Sequence, residues 1–240
     1  MAISSVIFIQ EREDILQQIL FTLDKVSFGY VPGQPVFNKL SLEIYSGEKV
    51  ALLGANGSGK STLLKILSGL IFPQQGIFKA YGQEINEQRM EEDDFSCQYH
   101  RRVGYIFQNS EVQLFTARVW DEIAYGPLQM GFTPTEVKQR VEDVLEMLQI
   151  GNLRDRSPHR LSGGEKKKVA IASVLVLNPE VLILDEPTSG LDPKTERWLV
   201  ELLLELNLKG RTIIVSTHDL ELAHVLTTRS LVLAESHELV

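Results

Sequence analysis

The chain reads Gly54-Ala55-Asn56-Gly57-Ser58-Gly59-Lys60-Ser61 between an apolar segment, 49–53, and a helical pattern, 62–67. Glycines in such a loop let successive backbone N–H groups turn inward around phosphate oxygens, and the following helix adds the positive end of its dipole. Lys60 is then placed to reach the β- and γ-phosphates of a nucleotide, and the Ser61 hydroxyl to coordinate Mg²⁺. The alternative is a turn that only joins strand to helix, but the strand before the loop and the helix after it favour phosphate binding. The predicted nucleotide site of this loop comprises Gly54, Ala55, Asn56, Gly57, Ser58, Gly59, Lys60, Ser61 and Thr62.

Composition predicts one globular domain over residues 1–240. The chain has 240 residues, of which 43% are apolar and 23% are charged, so it is long enough to bury a full core. Its 24 Lys and Arg against 32 Asp and Glu give a net charge of −8, which argues against a nucleic-acid partner. Because Cys97 is the single cysteine, it cannot form an internal disulfide, and it is compatible with a reducing cytosol.

Neither a targeting signal nor a transmembrane helix is evident in the sequence. Residues 1–10 lack a basic flank, and nowhere are there about 18 consecutive apolar residues. We therefore expect the chain to stay in the cytoplasm and to reach any membrane through partner chains.

Two segments, 20–28 and 38–44, alternate in the way that strands do and flank the turn 31–35. They predict a small antiparallel sheet beside the phosphate loop. Ahead of them, residues 11–20 carry apolar side chains at helical spacing, which predicts a helix that covers the core rather than one that contacts a membrane. The apolar positions of this segment are Ile15, Leu16, Ile19 and Leu20.

The clearest helix signal follows later in the chain. Thr133 supplies an N-cap, Pro134 a first helical residue and Glu136 a capping-box carboxylate, while Gly151 follows the last periodic residue. Between these ends an apolar stripe is formed by Val137, Val141, Val144, Leu145 and Leu148. The acidic run at 90–94 is predicted to be a solvated loop rather than a binding patch.

A short apolar run, 181–184, is followed by two carboxylates, Asp185 and Glu186. Such a run suits a strand that is buried on both faces of a parallel sheet. Ligands of open α/β sheets bind beyond the carboxyl ends of the strands, so both carboxylates are expected beside the phosphate loop. Asp185 would then hold Mg²⁺ through water, and Glu186 would be the general base for the water that attacks the γ-phosphate. An acidic pair that merely ends the strand is the alternative, which the phosphate loop in the same chain disfavours.

A third motif reads Leu161-Ser162-Gly163-Gly164-Glu165 and precedes a helical segment, 166–172. Ser162 and the two glycines at a helix start offer a second anion site, made of a hydroxyl and backbone N–H groups. The lysines at 166–168 are predicted to form a solvated helix face, with phosphate attraction as the alternative. Together the three motifs resemble the ATP-binding cassette (ABC) family, whose signature these five residues match with Glu165 where glutamine is commonest.

The resemblance spans residues 22–225 and implies an α/β fold, the P-loop NTPase core of ABC ATPases, with a mostly parallel sheet and flanking helices. It places the nucleotide-binding core, with an N-terminal antiparallel β subdomain, at 20–108 and 166–240. A helical subdomain that carries the signature would occupy 109–165. In the family, the signature of one subunit closes over the phosphate loop of another. The resemblance therefore implies a head-to-tail dimer of like or unlike ABC ATPase subunits that encloses two ATP molecules.

Further residues take family roles because their positions match its motifs. Tyr30 would stack on adenine, with a core aromatic as the alternative. Gln108 would reach Mg²⁺ and sense the transmembrane partner, Asp192 would lie in the loop that crosses between subunits, and His218 would contact the γ-phosphate. The resemblance thus implies the catalytic residues Glu186, His218, Gln108 and Lys60, the Mg²⁺ ligands Ser61, Gln108 and Asp185, and the nucleotide contacts Tyr30, Ser162, Gly163, Gly164 and Asp192.

Residues 105–128 look most like those of energy-coupling-factor importers, especially the cobalt and nickel branch. Such importers pair ATPase subunits with a transmembrane coupling protein and a small membrane protein that captures the substrate. The resemblance implies a peripheral motor subunit on the cytoplasmic face of the cell membrane, which hydrolyses ATP to drive uptake of a transition-metal ion or a vitamin. One alternative is another class of ABC transporter, which shares every catalytic motif. The other is a soluble ABC protein of translation or DNA repair, whose double cassette or inserted coiled coil does not fit 240 residues.

Overall fold

The computed structural model describes residues 18–234. Within this range the strands are β1 (Ile19–Phe28), β2 (Phe37–Tyr45), β3 (Lys49–Leu53), β4 (Gln75–Ala80), β5 (Gln83–Glu84), β6 (Val103–Ile106), β7 (Val181–Asp185), β8 (Thr212–Ser216) and β9 (Arg229–Val232). The α-helices there are α1 (Lys60–Leu67), α2 (Glu87–Met90), α3 (Asp93–Arg102), α4 (Val119–Gln129), α5 (Pro134–Met147), α6 (Gly163–Leu175), α7 (Pro193–Leu208) and α8 (Leu220–Leu226). No helix within residues 18–234 has the length and apolar character needed to cross a bilayer.

The N-terminal strands form the predicted antiparallel sheet, in the order β2-β1-β4-β5. Leu23 of β1 lies opposite Leu42 on one side and opposite Phe78 on the other, and all three side chains are buried. The alternating pattern of the sequence therefore reflects one face of this sheet that packs on the core.

The prediction of a helix over residues 11–20 is wrong at the C-terminal end of that range. Ile19 and Leu20 belong to β1, where Leu20 is buried and Ile19 is exposed. The backbone of Leu20 is committed to the sheet, because its carbonyl accepts a hydrogen bond from the N–H of Tyr81. Pairing with neighbouring strands has thus overridden the local helical spacing. Ile15 and Leu16 lie outside the described residues.

Every pairing of the second sheet in the described residues is parallel, and the strand order is β6-β7-β8-β3-β9. Its register aligns the carboxyl ends of the central strands: Ser216 lies opposite Asp185 in one pairing and opposite Leu52 in the other. The residues that follow β3, β7 and β8 therefore leave the sheet at one end, where ligands of such sheets bind.

Each face of the parallel sheet packs against its own hydrophobic cluster. Val181 and Ile183 of β7 belong to the cluster that includes α1 and the antiparallel sheet. Leu182 and Leu184 belong to the cluster that includes α4, α5, α6 and α7. Because successive residues of a strand point to opposite faces, β7 is buried on both sides, as its uninterrupted apolar run predicted.

The helices between β6 and β7 form the layer over one face of this sheet. α5 begins with the predicted capping box, in which the Thr133 side chain accepts from the N–H of Glu136 while the Thr133 N–H donates to the Glu136 carboxylate at 2.8 Å. The predicted stripe is buried: Val137, Val141, Val144 and Leu145 lie within the helix, and Leu148 is its C-cap residue. The division of the chain into a core and a helical subdomain at 109–165 stays a prediction.

The solvated loop expected at residues 90–94 is corrected in part. All the acidic side chains there are exposed, but Asp93 and Asp94 form the first turn of α3, and only Glu91 and Glu92 join it to α2. Carboxylates in a first turn stabilise the positive end of the helix dipole, which explains why an acidic run starts a helix here.

Candidate nucleotide site

The loop between β3 and α1 has a backbone that suits phosphate binding. Gly54, Gly57 and Gly59 have φ values of 149°, 85° and 103°, which L side chains rarely adopt. Gly54 also passes so close to the end of β9 that an added Cβ would lie 2.5 Å from the Leu233 carbonyl oxygen. α1 then starts at Lys60 with no side chain capping its first N–H groups. Those N–H groups can therefore donate to an anion held in the loop.

Lys60 is buried, and its ammonium group reaches back across the loop. Its Nζ donates to the carbonyl oxygens of Gly54, at 2.8 Å, and Ala55, at 3.2 Å. It also lies 3.9 Å from Oε1 of Glu186. A buried ammonium needs partners of this kind, and here they hold the charge between the loop and the carboxylate.

Glu186 follows β7 in a constrained conformation. Its φ is 41°, in the left-handed region, where a residue other than glycine costs about 1–3 kcal/mol. The backbone is held there because its N–H donates to the carbonyl and hydroxyl oxygens of Ser216, at 3.1 and 2.9 Å. One carboxylate oxygen, Oε2, lies 2.9 Å from Nδ1 of His218. The other, Oε1, is buried and has no hydrogen-bond partner among the described residues, which leaves an acceptor beside Lys60.

Asp185, the last residue of β7, is held by two hydroxyl groups that sequence reasoning missed. Ser216 donates to Oδ1 at 2.5 Å, and Tyr105 donates to Oδ2 at 3.4 Å. Burial, and then the Asp185 carboxylate, raise the pKa of Tyr105, so its hydroxyl stays protonated and can donate. A signal for Ser216 exists in the sequence, because it is a polar residue at the carboxyl end of an otherwise apolar strand, two positions before His218.

Tyr30 lies at the surface next to α1. Its side chain is 58% exposed, which is contrary to the alternative of a core aromatic. The ring packs edge-on against Phe28 with 4.9 Å between ring centroids, and its hydroxyl lies 3.4 Å from Oγ1 of Thr62. The stacking role for adenine stays a prediction.

Ser162 is the N-cap of α6, and the signature closes a capping box on itself. The N–H and the hydroxyl of Ser162 both donate to Oε2 of Glu165, at 2.8 and 2.9 Å, and the Ser162 hydroxyl accepts from the Glu165 N–H. These hydrogen bonds, led by the one from the backbone, lower the pKa of Glu165. The residue that departs from the commonest family signature therefore acts as the capping-box carboxylate.

The start of α6 packs tightly against the start of α7. A Cβ added to Gly164 would lie 2.7 Å from Oγ1 of Thr195, so glycine permits this close approach. Asp192 caps α7 by accepting from the N–H groups of Lys194 and Thr195 and, at 2.6 Å, from the Thr195 hydroxyl. The hydroxyl bond leads the causes that lower the pKa of Asp192. Gly164 and Asp192 are thus brought together within one chain.

The prediction that the lysines at 166–168 form a solvated helix face is wrong. Lys167 has 3% of its surface exposed and donates from Nζ to the Phe107 carbonyl oxygen at 3.3 Å. The Lys168 ammonium lies over the Trp198 ring, 4.6 Å from its centroid. The reason is tertiary: α6 packs between β6 and α4, so its polar positions are covered as well as its apolar ones.

Two groups of predicted residues emerge from these contacts. Lys60, Glu186 and His218 contact one another in series, and Asp185 joins Glu186 through Ser216. The second group contains Gln108 and Gly163, which are exposed. They line a cleft of about 340 Å³ together with Ser189, Gly190 and Leu191. Ser61 is exposed at the start of α1.

Known proteins that resemble this chain include ATP-binding proteins of ABC transporters. The ABC transporter family profile matches residues 37–189. An ABC transporter ATP-binding protein of Methanosarcina acetivorans is 50% identical over 224 residues, which cover 92% of this chain and 81% of that protein. The nickel import ATP-binding protein NikO of Rhodobacter capsulatus is 49% identical over 205 residues, which cover 84% of this chain and 80% of NikO.

Solved structures of ABC proteins share the fold. CbiO1 from Clostridium perfringens, part of the ABC transporter complex CbiONQ, aligns with a TM-score of 0.82 and 33% identity, over 93% of this chain and 88% of CbiO1. The cassette MJ0796, in a dimeric post-hydrolysis state bound to ADP and Pi, aligns with a TM-score of 0.81 and 28% identity, over 92% of this chain and 96% of MJ0796. The chain therefore belongs to the ABC transporter family and is one of its ATP-binding, ATP-hydrolysing subunits.

Proposed function

We propose that the chain is the motor of a membrane importer of the energy-coupling-factor type, which takes up nickel, cobalt or a vitamin. The observation that carries the motor chemistry is the contact series Lys60, Glu186 and His218 at the carboxyl end of the parallel sheet. The 49% identity with NikO supports import of nickel, and the likeness to CbiO1 supports assembly with membrane components. The name of the M. acetivorans relative gives no substrate, so the cargo rests on NikO and on the resemblance of residues 105–128 to the cobalt and nickel branch.

In the proposed reaction, water attacks the γ-phosphorus of ATP, and the bond to the oxygen that bridges the β- and γ-phosphates breaks. Glu186 takes the proton of that water on Oε1, the buried oxygen that has no other hydrogen-bond partner among the described residues. His218 keeps the carboxylate oriented through Oε2. Lys60 neutralises charge on the phosphate oxygens, and ADP and phosphate leave.

The residues at this end of the sheet fit a nucleotide with Mg²⁺. The uncapped start of α1 and the positive-φ glycines provide N–H donors for phosphate oxygens. A hydroxyl on Ser61, a carboxylate on Asp185 and an amide on Gln108 are oxygen donors, and Mg²⁺ is usually held by one or two carboxylates together with substrate phosphates. These three residues would hold the ion, which when bound would offset negative charge on the β- and γ-phosphates.

A second ABC ATPase subunit completes the proposed site. Ser162 and Asp192 are exposed, and their hydrogen bonds within the chain go to Glu165 and to the start of α7. The N–H groups at the start of α6 form an anion site that a nucleotide on a partner subunit would occupy. The dimeric structure of MJ0796 supports this assembly, and the partner is a second copy or a related subunit.

The proposed docking surface for the transmembrane coupling protein lies along α4 and the segment that precedes it. Phe115, Tyr125 and Leu128 are 61%, 46% and 53% exposed, and the rings of Phe115 and Tyr125 meet edge-on with 4.9 Å between centroids. Glu122 is buried beneath them and accepts from the N–H groups of Phe115, at 3.0 Å, and Thr116, at 2.8 Å. An exposed apolar patch on a rigid support is typical of a protein contact. It would hold the chain on the cytoplasmic face of the membrane.

Purification of the tagged chain from detergent-solubilised native membranes, followed by mass spectrometry, tests the importer assignment. A coupling protein together with a small substrate-capture protein is the expected result. A conventional permease would move the chain to another ABC transporter class, which is the second candidate function. Recovery of soluble partners alone would overturn the transport proposal.

A surface variant makes the same experiment specific. Phe115→Ala combined with Leu128→Ala should abolish co-purification of the membrane partner, because two of the three exposed side chains of the patch are truncated. The control is Leu208→Ala, since Leu208 is 74% exposed at the end of α7 and lies outside the patch. Retention of the partner by the double variant would exclude this surface.

A further inference from the structure

The residues around Gln108 are fastened to the signature helix, α6, by two consecutive lysines. Lys167 donates from Nζ to the carbonyl oxygen of Phe107 at 3.3 Å, and that carbonyl belongs to the peptide bond that precedes Gln108. Lys166 forms an ion pair with Glu111, three residues beyond Gln108. Gln108 therefore lies between two attachment points on one helix.

A third side chain strengthens the same connection. Gln113 donates from Nε2 to the Ala170 carbonyl oxygen, at 3.1 Å, and to Ser173 Oγ, at 3.3 Å, both on α6. Its Oε1 lies 3.4 Å from the N–H of Phe107, so its amide also connects the two ends of the segment 107–113. Polar links from two directions thus hold this segment on α6 rather than on the sheet.

The sheet ends one residue before these attachments begin. Ile106, the last residue of β6, lies opposite Leu184 of β7 in the parallel ladder. Phe107 is the next residue, and its carbonyl is bound by α6. The attachment to α6 therefore begins at the first residue beyond the sheet, next to Gln108.

Lys167 is the least expected of these links, because a lysine is almost never fully buried without a strong reason. Its side chain is 3% exposed, and the Phe107 carbonyl is the hydrogen-bond acceptor seen among the described residues. Burial lowers the pKa of Lys167, while the charge of Asp185 opposes that shift. An apolar side chain would pack at this position at lower cost, so the buried ammonium points to a role other than stability.

We propose that Lys167 is a positioning residue that fixes Gln108 through the Phe107 carbonyl. The inference rests on the proposed function in one respect, namely that Gln108 contacts Mg²⁺. Its consequence is that loss of the Lys167 ammonium weakens the contact of Gln108 with Mg²⁺, without any change in the phosphate loop.

Lys167→Met tests the attachment, with Lys168→Met as the matched control on the same helix. Methionine has a similar length and no N–H donor, and removal of a buried charge preserves folding, which thermal unfolding checks. In the full chain without nucleotide, amide hydrogen exchange over residues 107–113 should quicken about fivefold for Lys167→Met, the loss of one hydrogen bond of about 1 kcal/mol. Lys168→Met should leave that segment unchanged. Equal exchange in both variants would overturn the attachment.

Equilibrium binding of a fluorescent ATP analogue at varied Mg²⁺ tests the consequence. Lys167→Met should raise the Mg²⁺ concentration for half-maximal binding about tenfold, the usual loss when a ligand's supporting partner is removed. Binding without Mg²⁺ should stay the same, because Lys60 and the phosphate loop are untouched.

Gln108→Ala distinguishes the positioning role of Lys167 from the contact between Gln108 and Mg²⁺. If Gln108→Ala raises the Mg²⁺ requirement and Lys167→Met does not, the positioning role is wrong and the role of Gln108 stands. If neither variant changes it, the proposed contact between Gln108 and Mg²⁺ fails, and the positioning role toward Mg²⁺ fails with it. If both raise it and the double variant is no worse than Gln108→Ala alone, Lys167 acts through Gln108 as proposed.

Discussion

Nδ1 of His218 lies 2.9 Å from Oε2 of Glu186, which joins an exposed histidine at the end of β8 to a buried carboxylate at the end of β7. The parallel register of the two strands creates this contact, since Asp185 and Ser216 lie opposite each other just before the two residues. Because His218 holds one oxygen of the carboxylate, the other oxygen faces Lys60 and the phosphate loop. The pair therefore orients a base toward the place where the γ-phosphate is expected.

Replacement of Glu186 by glutamine should separate ATP binding from hydrolysis. The amide keeps the size of the side chain but cannot take a proton from water, so turnover should fall at least about 100-fold, the usual range for loss of a general base. ATP affinity should stay within about twofold, since the phosphate loop is unchanged. Phosphate release and equilibrium binding measure the two effects.

Glu180→Gln is the matched control for that variant. Glu180 precedes β7 at the opposite end of the strand, where it pairs with Arg102 at 2.8 Å. Loss of this exposed ion pair should leave turnover unchanged. Turnover by Glu186→Gln at the level of the control would remove Glu186 from the catalytic role.

Lys60→Ala, unlike Glu186→Gln, should weaken nucleotide binding. The variant removes the ammonium that donates across the phosphate loop, and charge-assisted hydrogen bonds of this kind contribute about 1.5–3 kcal/mol, so the dissociation constant for ATP should rise about 10–100-fold. Isothermal titration of the purified chain measures the change. Lys65→Ala, in the last turn of the same helix, should bind ATP normally. Normal affinity in Lys60→Ala would exclude the phosphate assignment.

The sequence was sufficient to predict those elements of the fold that depend on residues close together in the chain. Four apolar residues before Asp185 predicted a strand buried on both faces, and β7 is that strand. Thr133 and Glu136 predicted the start of α5, and their reciprocal hydrogen bonds are present. In each case the physical cause lies within a few residues, so the sequence contains it.

Contacts between distant segments could not be read in that way. Ser216 and Tyr105 hold Asp185 from 31 and 80 residues away, and no local pattern connects them. Lys167 sits in a run of three lysines that favours a solvated face, yet the packing of α6 against β6 and α4 buries it. Leu20 follows a helical spacing that pairing within the antiparallel sheet overrides.

Ser162→Ala tests the site that two subunits are proposed to share. In the assembled transporter, ATPase activity should fall about tenfold or more, because a hydroxyl donor to the partner's nucleotide is lost. ATP binding by the isolated chain should not change, although the lost N-cap lowers the free energy of unfolding by about 0.5–2 kcal/mol. Ser157→Ala is the control, since Ser157 precedes the 3₁₀ helix Pro158–Arg160 and its side chain makes no capping hydrogen bond there. Full activity of the assembled Ser162→Ala complex would contradict the shared site.

The buried ammonium of Lys167 predicts a pH dependence of stability. Burial lowers its pKa from 10.5 to about 8 in the folded chain, whereas the unfolded chain keeps the ordinary value. Between these two pKa values the unfolded chain binds more protons, so the free energy of unfolding rises with pH across that window. The destabilisation caused by the charged form is fully present below about pH 8 and disappears as the pH approaches 10.5. The wild-type chain should therefore gain about 2 kcal/mol relative to Lys167→Met from about pH 7 to about pH 9.5, measured by denaturant unfolding. A constant difference between the two chains would show that Lys167 does not titrate in this range.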